Sequence, residues 1–219
     1  MKVLKESIRN SPFLGIFCTV TEKIAIFPAS SESKEIKKIS EALEVEPIRA
    51  SIAESSLWGV LAKGNSRGIV VPEIMEKREI ECLESIGVKV KAIKGNLALG
   101  NLIATNDSKA ILSPAIPKKQ REEIQKFLGV ESIESKIAGG ELAGSCIVLT
   151  DRGFLASNNT KKEELEKLRA FLGLEGKATT ANCGDSFIGN SVIANSKAVI
   201  AGSLTTNIEL LKIQEALAE

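Results

Sequence analysis

The chain contains no histidine and no tyrosine, and only one tryptophan among its 219 residues. Without histidine, the usual Ser-His-Asp and Cys-His routes to an activated nucleophile are closed, as are His-based zinc sites. With so few rings, an aromatic platform for single-stranded nucleic acid is excluded as well. Cysteine is sparse too, with four residues at 18, 82, 146 and 183 and no C-x-x-C pair. That usage suits reduced thiols in a cytosol, held as small buried or half-buried side chains. No stretch approaches the ~18 apolar residues of a membrane span. Near the N-terminus, Glu6 and Asn10-Ser11-Pro12 interrupt what would be the apolar core of a secretory signal, so a cytoplasmic protein is expected.

Net charge is equally lacking. Lys plus Arg number 29 and Asp plus Glu 28, for a balance of +1. A protein that clamps nucleic acid through many phosphates is normally far more basic. The carboxylates sit mostly in "KEIKK", "REEIQK" and "KKEELEKLR", where i,i+4 pairing marks solvated helix faces rather than an acid/base pair. "GGELAG", from Gly139 to Gly144, lacks the Lys-Ser/Thr ending of a phosphate loop and feeds a strand, so it reads as a turn. The apolar fraction of 43% is ample for a buried core.

What the chain has in plenty is repetition. "ALGNLIATNDSKAILSP" (98–114) and "FIGNSVIANSKAVIAGS" (187–203) are nearly superposable hairpins. With the Gly that opens each hairpin as marker, five copies appear, at Gly15, Gly59, Gly100, Gly144 and Gly189, spaced by 44, 41, 44 and 45 residues. A polar turn follows each marker after six or seven positions, and all but the first carry the Asn, Asp, Gly or Ser that tight hairpins prefer. Each hairpin leads to a stretch of helical period, as in Ile36, Ile39 and Leu43, or Leu165, Leu168 and Leu172. Capping boxes are expected at Thr160-x-x-Glu163 and Thr206-x-x-Glu209. A short strand follows helices one to four: "PIRASIA", "VKVKAI", "ESIESKIA" and "GKATTA".

The unit is strand, strand, helix, strand. The fifth unit lacks its last strand, and the chain opens with an unattached one, "VLKESI", at Val3–Ile8. This predicts that the N-terminal strand completes the last unit. The expected fold is α/β: a pseudo-symmetric closed ring of five blades in one domain spanning 1–219, strands inside and helices outside. Closure removes exposed sheet edges. An open solenoid is the alternative, but no polar capping repeat is visible.

The order of "SIA", "RGIVVP", "ALGN…TND", "AGS" and "IANSKA…G..TT..EL" at five registered positions resembles the translation initiation factor 6 family, over essentially the whole chain and most like its archaeal form. The resemblance implies a pentein, or alpha-beta propeller, fold and no enzymatic activity, since the arginine-modifying enzymes of that fold use a Cys with a His. It implies a monomer without cofactor or metal, and no membrane partner. It further implies binding to the large ribosomal subunit, mainly through protein uL14 with some rRNA near the sarcin–ricin loop, so that the small subunit cannot join. The ribosome-facing end would be that of the marker glycines. The residues carried over are Leu14, Gly15, Trp58, Gly59, Val60, Gly100, Asn101, Gly144, Ser145, Gly189 and Asn190. The family often has Arg or Ser where Val60 stands, so no polar contact is implied there. Each glycine also has a plain structural reading, as a position without room for a Cβ. Trp58 has one as core packing. The rival function is a scaffold or small-ligand binder using the central channel of the ring.

Overall fold

The computed structural model describes residues 1–217. The chain opens on β1 (Lys2–Glu6). Blade one runs α1 (Leu14–Phe17), β2 (Thr19–Val20), β3 (Ile24–Pro28), α2 (Ser33–Leu43) and β4 (Glu46–Ala50). Blade two runs α3 (Trp58–Leu61), β5 (Lys63–Asn65), β6 (Gly68–Pro72), α4 (Lys77–Ser85) and β7 (Val90–Ile93). Blade three runs α5 (Leu99–Leu102), β8 (Ile103–Thr105), β9 (Lys109–Leu112), α6 (Lys118–Leu128) and β10 (Glu131–Glu134). Blade four runs α7 (Ala143–Cys146), β11 (Ile147–Leu149), β12 (Phe154–Ser157), α8 (Lys162–Leu172) and β13 (Gly176–Thr179). Blade five holds α9 (Ile188–Ser191), β14 (Val192–Ala194), β15 (Ala198–Gly202) and α10 (Asn207–Leu217).

Each blade is a three-stranded sheet in which the first two strands are antiparallel and the third runs parallel to the second. In blade five the third strand is β1, which pairs with β15 from Lys2↔Ala198 to Glu6↔Gly202. The expected completion by the N-terminal strand therefore holds. The inner strands β2, β5, β8, β11 and β14 neighbour one another in turn, and β14 returns to β2, which closes the ring.

The core lies between blades. Five clusters each join two neighbours; Ile26, Ile48 and Ile52 of blade one, for example, meet Trp58, Val71 and Leu83 of blade two. Another joins Ile193 and Ile200 of blade five to Leu14 and Phe27 of blade one. The middle strands are thus buried on both faces. This explains why "IAIFP" and "GIVVP" are continuous apolar runs rather than alternating ones.

Three local expectations need correction. The residues after each marker glycine form a single α-turn before the strand starts, not strand throughout. The box at Thr160 does not form, because Thr160 N–H donates to Ser157 in a turn and α8 starts at Lys162. Cys82 and Cys183 are exposed, whereas Cys18 and Cys146 are buried.

Strand direction defines the two ends. The first strand of a blade leads from marker glycine to hairpin tip, the second returns, and the helix runs back toward the tips. Marker glycines and helix N-termini therefore share one end. Hairpin tips and helix C-termini share the other.

Candidate docking face at the glycine end

The five single-turn helices α1, α3, α5, α7 and α9 form a tight inner circle, each adjoining the next. Its spacing is set by the marker glycines. A Cβ added to Gly59 would strike the carbonyl oxygen of Gly15; Gly100 meets Gly59, Gly144 meets Gly100, Gly189 meets Gly144, and Gly15 meets Gly189. None of the five has a positive φ, so close backbone approach is what demands glycine here. The circle leaves a central cavity of about 40 Å³, lined by these glycines with Lys63, Asn101, Thr105 and Asn190. That is room for about one water, far below the ~300–1,000 Å³ of ordinary ligand pockets. The channel is too narrow for the small-ligand rival. Loss of solvent around the Lys63 ammonium lowers its pKa to about 8.

The structure separates the sequence candidates into two groups. Leu14 and Trp58 are fully buried and Ser145 nearly so. The Trp58 indole donates to the Ala50 carbonyl at 2.8 Å and packs between blades one and two. It is a core residue, and its side chain is not an interface anchor. Gly15, Gly100 and Gly144 are buried, while Gly59 and Gly189 are half-buried. The side chains of this set that reach the surface are Val60, Asn101 and Asn190, all half-buried. Among the described residues, neither the Asn101 nor the Asn190 amide makes an intramolecular side-chain hydrogen bond. The backbone N–H of each instead closes the α-turn, Asn101 onto Ala98 at 3.0 Å and Asn190 onto Phe187 at 2.8 Å.

The same end carries a feature that sequence reasoning missed. Two residues before each marker glycine stand Phe13, Leu57, Ala98, Leu142 and Phe187, the N-cap positions of the five single-turn helices. Phe13, Leu57, Leu142 and Phe187 are 36%, 37%, 39% and 44% exposed. They make an apolar collar around the glycine circle. The signal was present in the aligned copies. This position is apolar in all five, although the residue after it (Leu14, Trp58, Leu99, Ala143, Ile188) already fills the core. A repeated apolar position that the core does not need points outward for another reason.

The class that this architecture defines is a closed five-bladed α/β ring with a filled centre and one apolar end. Residues 3–216 match the model of the eIF-6 family. A curated "Translation initiation factor 6" from Pyrococcus horikoshii is 36% identical over 224 aligned positions, covering 99% of this chain and 99% of that protein. A second, from Methanocaldococcus jannaschii, is 34% identical and covers 98% of this chain and 97% of its own length. Among solved structures, DDAH from Pseudomonas aeruginosa complexed with citrulline aligns with a TM-score of 0.46 at 16% identity, over 94% of this chain and 73% of that one. The chain belongs to the eIF-6 family.

Proposed function

We propose that the protein binds the large ribosomal subunit with the glycine end of its ring and keeps the small subunit from joining. The observation that carries this reading is the apolar collar, four exposed apolar side chains at one end of a chain whose family is named for translation initiation. Exposed aromatic and leucine side chains around two free amides suit a protein surface better than a phosphate backbone, which agrees with the partners that the family resemblance implies, mainly uL14 with some rRNA near the sarcin–ricin loop. The near-neutral charge agrees. No cofactor takes part in such steric blocking.

The test is co-sedimentation with purified large subunits, followed by addition of small subunits. The expected result is stoichiometric binding and a reduced yield of joined ribosomes; sedimentation of the protein apart from the large subunit overturns the proposal. Two predictions refine it. Asn101→Ser removes an amide that the fold does not use, so it should weaken binding by about 1–3 kcal/mol. Its melting point should move little, by the equivalent of about 0.5 kcal/mol or less. Unchanged binding with a lowered melting point would remove Asn101 from the face. Raising salt from about 50 to 200 mM should weaken the complex only modestly, whereas 6–10 phosphate contacts would lose roughly 10³–10⁵ in affinity.

A further inference from the structure

A groove of about 1110 Å³ opens at the hairpin-tip end of the ring, centred on blade two. Two departures from the fivefold repeat create it. The first is the length of α4, nine residues against eleven in the other four long helices. In blades three and four, the residue nine places after the helix start packs back on the preceding blade. Phe127 lies against Gly68, and the Phe171 ring lies 4.9 Å beneath the Lys109 ammonium. In blade two that position is Ile86, just past the helix end and 56% exposed. It lines the groove together with Ile24 of blade one, on which its equivalents would pack.

The second departure is a reversal of charge. The residue that begins or directly precedes the third strand is Glu46, Glu131 and Glu175 in blades one, three and four. In blade two it is Lys89, and in blade five Lys2, but Lys2 is paired with Glu44 at 3.6 Å whereas Lys89 has no ion pair among the described residues. Lys23, Arg67, Lys89 and Lys126 all line the groove, and none is in an ion pair among the described residues. Of the two carboxylates in the lining, Glu123 is held by Lys91 at 2.7 Å. Four cations without an ion pair among the described residues thus stand around an aliphatic floor, against one unpaired carboxylate, Glu46.

We propose that this groove docks a short acidic peptide segment carrying aliphatic side chains. Its carboxylates would meet the four free cations, and its aliphatic groups would cover Ile24 and Ile86. The volume exceeds the ~300–1,000 Å³ of most small-ligand pockets, which suits several residues of extended chain. RNA fits less well. The one ring in the lining, Phe127, is already packed against Gly68, and stacking needs free aromatic faces. The groove lies at the opposite end from the collar, so it stays open while the glycine end is docked.

The experiment is fluorescence anisotropy with a labelled octapeptide alternating glutamate and leucine. Saturable binding is expected. Lys89→Glu combined with Lys126→Glu should weaken it about tenfold or more, since like charges placed in a complementary surface are strongly unfavourable. Ile86→Ser should weaken it about fivefold, the worth of one partly covered aliphatic side chain. Both variants alter exposed residues, and unchanged melting confirms that they fold. Absence of saturable binding, or equal affinity for the charge-reversed variant, overturns the proposal. Two competitions on the unmodified protein test it independently. An all-glutamate octapeptide that competes as well as the alternating one shows that the apolar floor has no role. An octauridylate that competes better than the peptide assigns the groove to RNA. Either result overturns the proposal.

Discussion

At the residue scale, the carboxylates at the long-helix N-termini do more than cap. Glu209 accepts from Thr206 N–H at 2.8 Å, and also from Gly184 N–H at 2.9 Å, Cys183 N–H at 3.2 Å and the Thr180 hydroxyl at 2.6 Å. Glu79 likewise receives Ala53 N–H at 2.8 Å and Glu54 N–H at 3.2 Å. These donors belong to left-handed turns between blades: Ala53 and Glu54 have φ of 47° and 56°, Asn182 and Cys183 of 46° and 62°. Residues with side chains are uncommon in that region; the carboxylates hold Ala53, Glu54 and Cys183 there, while Asn182 N–H donates to the Thr205 hydroxyl at 3.1 Å. Burial pushes the Glu209 carboxyl up, but the bonds from Thr180, Thr206 and Gly184 more than offset this and leave it at about 2, against an ordinary value of 4.5. A folded pKa below the unfolded one stabilises the fold above pH 4.5, and the benefit disappears as pH falls through about 2. Glu209→Gln should therefore lower the melting point at neutral pH and flatten its fall across that acid range. Parallel curves for the two proteins would show that the carboxylate charge is not linked to folding. The Thr206–Glu209 box was legible because Thr is a favoured N-cap. The equivalent boxes at Glu32–Glu35 and Glu76–Glu79 were not, since glutamate is an unusual N-cap.

At the element scale, the hairpin tips explain why "ATNDSKA" and "IANSKA" recur. In each, one asparagine both closes its own turn and pins the neighbouring blade. Asn106 Oδ1 accepts from Ser108 N–H at 3.0 Å and Lys109 N–H at 2.7 Å, while its Nδ2 donates to the Thr150 carbonyl at 3.0 Å. Asn195 repeats the turn bonds and donates to Leu43 at 2.8 Å, across the join between blades five and one. Asn65 donates to Asn106 at 3.1 Å and to Leu128 at 3.0 Å. Asn106 is buried, so Asn106→Ala strands several polar groups and should cost about 1–3 kcal/mol or more. Asn106→Asp retains the turn acceptor but sets a buried carboxylate oxygen against the Thr150 carbonyl in place of the interblade donor, so it too should lose stability in chemical denaturation. An Asp variant as stable as the parent would mean that the interblade bond contributes nothing. The hairpins were legible because turn residues and strand length both mark them. The single-turn helices before them were not. Four residues are too few to carry a usable period, and here it is the glycine circle that fixes their conformation. The collar went unread for a related reason, as burial at one position and exposure at the next cannot be told apart when both are apolar.

At the scale of the whole molecule, closure was legible by counting: four trailing strands, five hairpins and one spare strand at the start. The groove at blade two was not, because it arises where the repeat fails rather than where it holds. Closure itself has two structural supports, the glycine circle at the centre and the β1–β15 pairing toward the rim. Deleting residues 1–9 tests the second alone. It removes five paired positions of β1 and the fully buried Ile8, and uncovers Leu4's share of the core between blades five and one. It also leaves β15 with a free edge, an invitation to pairing with other chains. The loss should be several kcal/mol, a large part of the ~5–15 kcal/mol net stability of a typical protein. Added in trans, a peptide of residues 1–9 should restore part of the melting point by occupying the vacant edge, as strand addition does elsewhere. Recovery that depends on the order of the peptide's residues, compared with a scrambled control, would tie the effect to the Lys2↔Ala198 register. If instead the truncated protein melts at the parent temperature, the ring is held by its glycine circle and interblade cores, and the N-terminal strand protects an edge without carrying stability.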